Sequence, residues 1–237
     1  MFRIRIQNKK KCIWYCSAVV SFLLFLLLLG WTNHLANTQD AQQMAGRWSE
    51  KKDVAQISCF FSSKAEVTED TIQSFEYSLK NVLQEASITE TSENPSARLW
   101  VDAYSADGKI TLVNGKNTLD ANAIGIGGDF FMFHPLKLIT GAYFSGNDLM
   151  QDYCIIDQDA AWQLFGSNDV VGMTVYIGNV PHIVTGVVQR PDSRMDKAAG
   201  LNSTVVYVSY ETLSAYGTNN GINHLSLIHI SEPTRLR

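Results

Sequence analysis

Ile13 to Gly30, IWYCSAVVSFLLFLLLLG, contains no charged residue in 18 positions. As a helix it rises roughly 27 Å, close to the hydrocarbon thickness of a bilayer. Its Leu, Ile, Val and Phe residues together favour insertion by about 3–7 kcal/mol, and no soluble helix needs so continuous an apolar surface. Arg3, Arg5, Lys9, Lys10 and Lys11 crowd its N-terminal side, whereas beyond it no Lys or Arg occurs before Arg47. The positive-inside rule therefore predicts a cytoplasmic N-terminus and an extracytoplasmic remainder. A cleaved signal peptide is the competing reading. Signal h-regions are shorter, about 7–15 residues, and end at a small-x-small site, for which Trp31-Thr32-Asn33-His34-Leu35-Ala36 is a poor match. Trp14, Tyr15 and Trp31 lie at the two ends of the run, where amphipathic rings prefer the membrane interface. A retained anchor is expected.

The expected organisation is a basic cytoplasmic tip at 1–11, a transmembrane helix at 12–31, a polar Gln- and Ala-rich stalk at 32–52 and an extracytoplasmic domain at 53–224. The segment Leu225 to Arg237 resembles the translated adapter of transposase-made short-read sequencing libraries, without mismatch from Leu225 to Arg235. It is expected not to be native, with the natural chain continuing differently beyond His224, so His229 is not offered as a ligand or base. About 190 residues outside the anchor suffice for one substantial domain. The formal net charge of −4 conceals a basic tip and a more acidic remainder, which gives no electrostatic case for nucleic acid. Cys12 and Cys16 accompany the membrane run at helical i, i+4 spacing. Cys59 and Cys154 lie outside it in apolar stretches; they read as small buried hydrophobes, although in an oxidising compartment they could pair.

Beyond the stalk, Asp53 to Phe61 reads as a strand. Thr68 is placed as the N-cap of an amphipathic helix whose apolar face is Ile72, Phe75, Leu79, Val82 and Leu83. Asn94-Pro95 breaks that pattern, and Arg98 to Tyr104 alternates as a strand, completing a βαβ unit. Asp107-Gly108 reads as a turn, followed by strands at Lys109 to Val113 and Thr118 to Ile126 about a second turn at Asn114-Gly115. Asp129 to Phe133 predicts a helical turn ended by His134-Pro135, and Gly141 to Gly146 a loop. Tyr153 to Asp157 is a strand, and Gln158 to Phe165 a helix stopped at Gly166. Met173 to Ile177 and His182 to Val188 form a hairpin through Gly178-Asn179. Arg190 to Leu201 is a polar loop, Thr204 to Val208 a strand and Tyr210 to Tyr216 the start of a helix. The fold class is α+β: an N-terminal transmembrane helix, then a mixed domain of βαβ units with an inserted β-rich subdomain.

Catalytic patterns fail. Gly125-Ile126-Gly127-Gly128 lacks the third glycine of a dinucleotide loop, because Phe130 occupies that place, and the stretch ending at Gly115-Lys116 has Ile110 and Asn117 where a nucleotide loop needs Gly and Ser or Thr. No histidines outside the membrane run, His34, His134, His182 and His224, form a metal-spaced pair. No serine sits in a G-x-S-x-G elbow. Asp148, Asp152, Asp157 and Asp159 cluster around one strand, without the glycine-containing spacing of a calcium loop. No catalytic, cofactor-binding or metal-binding residue is assigned.

The order of several short pieces is more informative. Gly125-x-Gly127-Gly128-Asp129-Phe130-Phe131 is followed by Leu138-Ile139-x-Gly141-x-x-Phe144 and Asp148. Then come Cys154-Ile155-Ile156-Asp157, Ala160-Ala161-x-x-Leu164-Phe165-Gly166, Val170-Val171-Gly172 and Val184-x-Gly186-Val187-Val188. In this order, behind a membrane helix and a βαβ unit, they resemble the extracytoplasmic core domain of MacB-like ABC transporter permeases of the FtsX-like superfamily. Gly125, Gly128, Phe130, Gly141, Phe144, Asp157, Leu164, Phe165, Gly166, Gly172, Gly186 and Val187 carry the resemblance as scaffold residues, since a fold pattern does not define an active site. The resemblance implies a non-enzymatic permease subunit whose outer domain moves with ATP hydrolysis on a separate or fused ATPase. ATP would bind that ATPase, not this chain. Further implied are a second permease copy in a homo- or heterodimer, membrane lipid, an extracytoplasmic protein partner and three downstream membrane helices. The alternative is a single-span anchored binding or sensor protein.

Overall fold

The computed structural model describes residues 9–37, 44–48, 54–87, 99–190 and 203–229. The apolar run is the centre of α1, Lys9–Asn37, and from Lys11 to Asn37 no side chain is buried by the rest of the chain. By length and composition α1 can cross a membrane. Its few hydroxyls turn back on the helix: Ser17 Oγ donates to Trp14 O at 2.9 Å and Thr32 Oγ1 to Leu29 O at 3.0 Å. Such internal bonding is what polar groups need where water is absent. The helix carries six residues of the expected stalk, and a second part of the stalk forms a short helix, α2, Met44–Trp48.

Among the described residues ten strands form one sheet, in the order β1 (Gln56–Phe60), β10 (His224–His229), β2 (Trp100–Asn114), β3 (Asn117–Gly128), β8 (Val205–Ser209), β5 (Tyr153–Asp157), β7 (Val180–Val188) and β4 (Leu138–Gly141), with β6 (Thr174–Ile177) bridging β2 and β7 and β9 (Thr218–Asn219) on β2. Strand β1 (Gln56–Phe60) leads through a 3-10 turn (Ser63–Ala65) to α3, Glu69–Glu85. Thr71 Oγ1 accepts from Thr68 N at 3.4 Å where the N-cap is expected. Ile72 is the buried member of the predicted apolar face of α3. Phe75 is 46% and Val82 60% exposed, because among the described residues nothing packs over that flank. The expected βαβ unit is split, since β10 lies between β1 and β2, antiparallel to both.

Strand β2 is continuous from Trp100 to Asn114 and from Ala103 onward pairs with β3, Asn117–Gly128. The turn expected at Asp107-Gly108 therefore does not exist, and residue 98, from which the predicted strand begins, lies outside the described residues, as do Asn94-Pro95 and 191–202. Gly108 has a different job. A Cβ there would lie 2.2 Å from the carbonyl oxygen of Thr218, because β9 (Thr218–Asn219) pairs antiparallel with β2 at that point. The Asn114-Gly115 turn is real, with Gly115 at φ +60°.

Helix α4 is Phe130–Phe133 and the edge strand β4 is Leu138–Gly141. Strand β5 is Tyr153–Asp157 and helix α5 Gln158–Phe165, as the sequence predicts. Hairpin strands β6 (Thr174–Ile177) and β7 (Val180–Val188) turn through Gly178 and Asn179, both at positive φ as a type I′ turn requires. Strand β8 is Val205–Ser209 and helix α6 Tyr210–Tyr216. The β-rich part thus consists of two hairpins, β2–β3 and β6–β7, joined where β6 pairs with β2. Strand β10, His224–His229, runs across the domain boundary drawn at His224, and Leu225 and Ile228 are buried in the sheet.

Two apolar layers flank the sheet. On one face Ile72 of α3, Ala160, Ala161 and Leu164 of α5, and Tyr210 and Leu213 of α6 pack on Tyr104, Ala106, Ala121 and Ala123. On the other, Met44 of α2, the phenylalanines of α4 and Phe144 pack on Val101, Ala103, Ile126, Ile155, Tyr207 and Ile228. Small residues at 121, 123 and 125 let helices lie close to β3: a Cβ at Gly125 would be 2.7 Å from Leu213 Cδ2.

Candidate functional site

The residues that carry the sequence pattern spread along the sheet and meet at three points. At the first, the glycines after β3 bring the chain against itself. Gly127 lies under the ring of Tyr104, whose hydroxyl donates to Glu69 Oε1 at 2.9 Å. Gly128 has φ +62°, and Gly146 N donates to its carbonyl at 3.0 Å. This return places Phe130, Phe131, Tyr143 and Phe144 in one ring cluster. Phe131 stacks on Tyr143 with centroids 4.6 Å apart and meets Phe144 edge-on at 5.7 Å.

At the second point, Asp157 closes β5 and opens α5. Only 2% of its surface is exposed. Its Oδ1 accepts from Ala160 N at 2.7 Å, which is an N-cap bond. Its Oδ2 accepts from Arg190 Nε at 3.1 Å, Arg190 Nη2 at 2.9 Å and Val205 N at 3.0 Å. Arg190 also reaches Asp159 at 2.7 Å. Leu164 and Phe165 pack at the other end of α5, and Gly166 caps it at φ +73°. The Leu164 carbonyl accepts from Asn114 Nδ2 at 3.1 Å and Asn117 Nδ2 at 2.9 Å, tying α5 to the tip of the β2–β3 hairpin. At the third point, Gly141 (φ +88°) sits beside Gly186 where β4 meets β7, with Val187 fully buried, and Gly172 (φ +83°) donates to Val184 O at 2.8 Å.

Each of these contacts fixes one element to another. The acidic cluster is dispersed among separate tasks: Asp148 accepts from Ser145 N at 2.9 Å, Asp157 caps α5 and Asp159 holds Arg190. Among the described residues no group of three His, Cys, Asp or Glu side chains could hold a metal ion. Cys59 and Cys154 are free thiols, and burial pushes the Cys154 thiol up to about 12. His182 is buried in β7, with Nδ1 3.0 Å from Val180 O and Nε2 3.1 Å from Thr212 Oγ1.

Sequence reading misses the contact that joins the membrane-proximal segment to the domain. Arg47 Nη2 of α2 donates to Met132 O at 2.9 Å and Phe133 O at 3.1 Å, the carbonyls at the end of α4. Met44, one turn earlier, is 5% exposed within the aromatic layer. The one available signal is that Arg47 is the first basic residue after the apolar run. Beside this contact lies His134. Its ring stacks on Phe130 with centroids 4.3 Å apart and meets His224 edge-on at 5.3 Å. Its Nε2 is buried and has no hydrogen-bond partner among the described residues. Burial, then His224 and Arg47, lower its pKa to about 4.

The family model for the MacB-like periplasmic core domain matches residues 20–231. The macrolide export ATP-binding/permease protein MacB of Chromobacterium violaceum is 30% identical over 122 residues, which are 50% of this chain and 18% of that protein. The protein of the same name from Pasteurella multocida is 30% identical over 98 residues, 40% of this chain and 14% of its own. The chain thus spans less than a fifth of the length of these relatives. Among solved structures, the periplasmic region of MacB from Actinobacillus actinomycetemcomitans covers 59% of this chain and 63% of its own at 23% identity and TM-score 0.42. The extracellular domain of the noncanonic ABC-type transporter YknZ from Gram-positive bacteria covers 77% and 85% at 18% identity and TM-score 0.43. With the family model spanning nearly the whole sequence, the chain belongs to the MacB-like periplasmic core domain family.

Proposed function

We propose that this chain is part of the membrane subunit of an ABC transporter, and that its outer domain passes ATPase-driven motion across the membrane for export, extraction or signalling. The N-terminus lies in the cytoplasm, ATP is hydrolysed on a separate or fused ATPase, and a second permease copy completes the unit. The names of the relatives, which are export ATP-binding/permease proteins, support this reading. The observation that carries it is the docking of α2. A helix that can span a membrane is followed within seven residues by Met44, buried in the domain's aromatic layer, and then by Arg47 on the end of α4. A flexible tether would suffice for an anchored sensor; a keyed joint is what force transmission needs, because displacement is lost in slack chain.

Sequencing the intact locus beyond His224 tests the wider proposal. Three further apolar spans and an ATPase reading frame beside them are expected, with other residues in place of Leu225 to Arg237. A frame that stops soon after His224 would favour the anchored sensor. With the intact permease and its ATPase in proteoliposomes, Arg47→Ala removes two charge-assisted bonds of about 1–3 kcal/mol each. ATP turnover is expected to stay within about twofold while ATP-driven work on the substrate falls at least tenfold, as coupling through a loosened joint requires. Equal loss of both activities would contradict the joint.

A further inference from the structure

The chain enters the outer domain at one end of the sheet. Thr32 to Asn37 carry α1 beyond Trp31 by about 9 Å, and residues 38–43 reach at most about 25 Å before Met44. Ala45 N of α2 then donates to Gln56 Oε1 at 3.2 Å, at the start of β1. Register brings other strand ends to the same side. Gln56 lies across β10 from the start of β2, β3 ends opposite Ala103, and β5 starts beside the end of β8. With α1 in a bilayer, this is the end of the sheet that faces it.

A run of contacts along this end carries exposed apolar side chains. Trp48 follows Arg47, whose Nη2 reaches Met132 O at 2.9 Å. Phe131, beside Met132, stacks on Tyr143 at 4.6 Å. Phe144 meets Tyr153 at 6.4 Å, and the Tyr153 hydroxyl donates to Met150 Sδ at 3.6 Å. Trp48, Met132, Tyr143 and Met150 are exposed, and Leu149 is wholly so. The Leu149-Met150 tip is held in place from both sides. Ser145 N donates to Asp148 Oδ2 at 2.9 Å and Gln151 Nε2 to Asp148 O at 2.6 Å, while the Gln151 carbonyl accepts from Ser209 Oγ at 3.1 Å and Thr212 Oγ1 at 3.0 Å. A leucine fixed outward in a continuous apolar rim marks a surface that something covers. At the far end of β2 and β3 the turn Asn114-Gly115-Lys116-Asn117 is polar.

We propose that this rim is seated in the headgroup layer of the bilayer that α1 crosses, giving the domain a footing besides the α2 joint. Chain connectivity turns the rim toward lipid, and Trp48 and Tyr143 are the ring types that settle at a membrane interface. Asp148 and Asp152 flank the tip, so attraction to anionic headgroups is not the source of binding; insertion of apolar side chains is. The seat goes beyond the transport reading and rests only on α1 spanning the membrane.

The photoreactive residue p-benzoylphenylalanine, placed at Leu149 in the full chain held in phosphatidylcholine nanodiscs, tests this. An exposed side chain has no packing to lose there. Irradiation is expected to give phospholipid adducts, read by mass, at least fivefold above those from the same probe at Lys116. Exchanging about a third of the lipid for phosphatidylglycerol is expected to change the yield less than twofold. With the probe at Met150 instead, Leu149→Asp is expected to lower the yield at least threefold. A probe at Leu26, in the middle of α1, reports insertion itself. Adducts at Leu26 with a yield at Leu149 no higher than at Lys116 overturn the seat and leave the transport reading standing. Adducts joining two copies of the chain in place of lipid, or a yield at Leu149 that needs phosphatidylglycerol, overturn it as well. No lipid adduct at Leu26 would remove the spanning helix, and both readings with it.

Discussion

Replacing Asp157 with alanine is expected to destabilise the outer domain by about 3–5 kcal/mol, the cost of stripping one partner from a buried ion pair. Four bonds from three residues end on this carboxylate. Ala160 N at the start of α5 loses its cap, Val205 N at the start of β8 loses its acceptor, and Arg190 loses two contacts. The carboxylate of Asp159 is a poor substitute, since its side chain is 52% exposed and water screens the attraction. Asp157→Asn retains an oxygen for the cap and is expected to cost less, about 1–2 kcal/mol. Urea unfolding of the detergent-solubilised chain, followed by circular dichroism, reads both, and the larger effect corresponds to a melting point lower by roughly 10 °C. The ranking separates two roles for a buried aspartate. A residue kept for chemistry would spare stability when replaced, and equal stability of Asp157→Ala and the native chain would show that the α5–β8 junction is not held here.

The same junction shows why some elements are legible in sequence. Helix α5 is bounded by Asp157 at one end and Gly166 at the other, and these are local signals: a side-chain oxygen for unpaired N–H groups and a residue free to adopt positive φ. The β6–β7 hairpin is likewise written in Gly178-Asn179. Asp107-Gly108 has the composition of a turn yet lies in mid-strand, because Gly108 answers the approach of Thr218 from far along the chain. No window of sequence contains that cause. Strand β4 is four residues long, sits at an edge and carries an irregularity near Ile139, so its alternation is too brief to register. Met44 and Arg47 read as ordinary stalk residues, since what gives them meaning is the end of α4 reaching them through the fold. Strand β10 makes a related point from the opposite side. Leu225-Ser226-Leu227-Ile228 supplies alternating residues for both faces, Ser226 Oγ lies 2.8 Å from Ser58 Oγ, and the segment pairs antiparallel with both β1 and β2. The motif residues are legible because their order is a pattern, whereas their contacts join elements far apart in sequence.

Gly141→Ala and Gly166→Ala are chemically identical changes at positive φ, and their effects are expected to differ by at least about 1 kcal/mol. At Gly166, φ is +73° and no heavy atom lies within 4 Å of an added Cβ. The cost is therefore the left-handed conformation alone, about 1–2 kcal/mol. At Gly141, φ is +88°, and the Cβ would fall 2.1 Å from Thr185 O and 2.6 Å from Gly186 Cα. Both obstacles are backbone, so neither can rotate away as a side chain would. Relief requires β4 to separate from β7, and β7 also pairs with β5 and β6. The expected cost is about 3–5 kcal/mol, in the range of severe backbone and overpacking lesions. Unfolding of the two variants under one set of conditions gives the difference directly. Equal destabilisation would mean that the close passage of β4 over Gly186 carries no energy, and that Gly141 belongs to the sequence pattern for its backbone angle only.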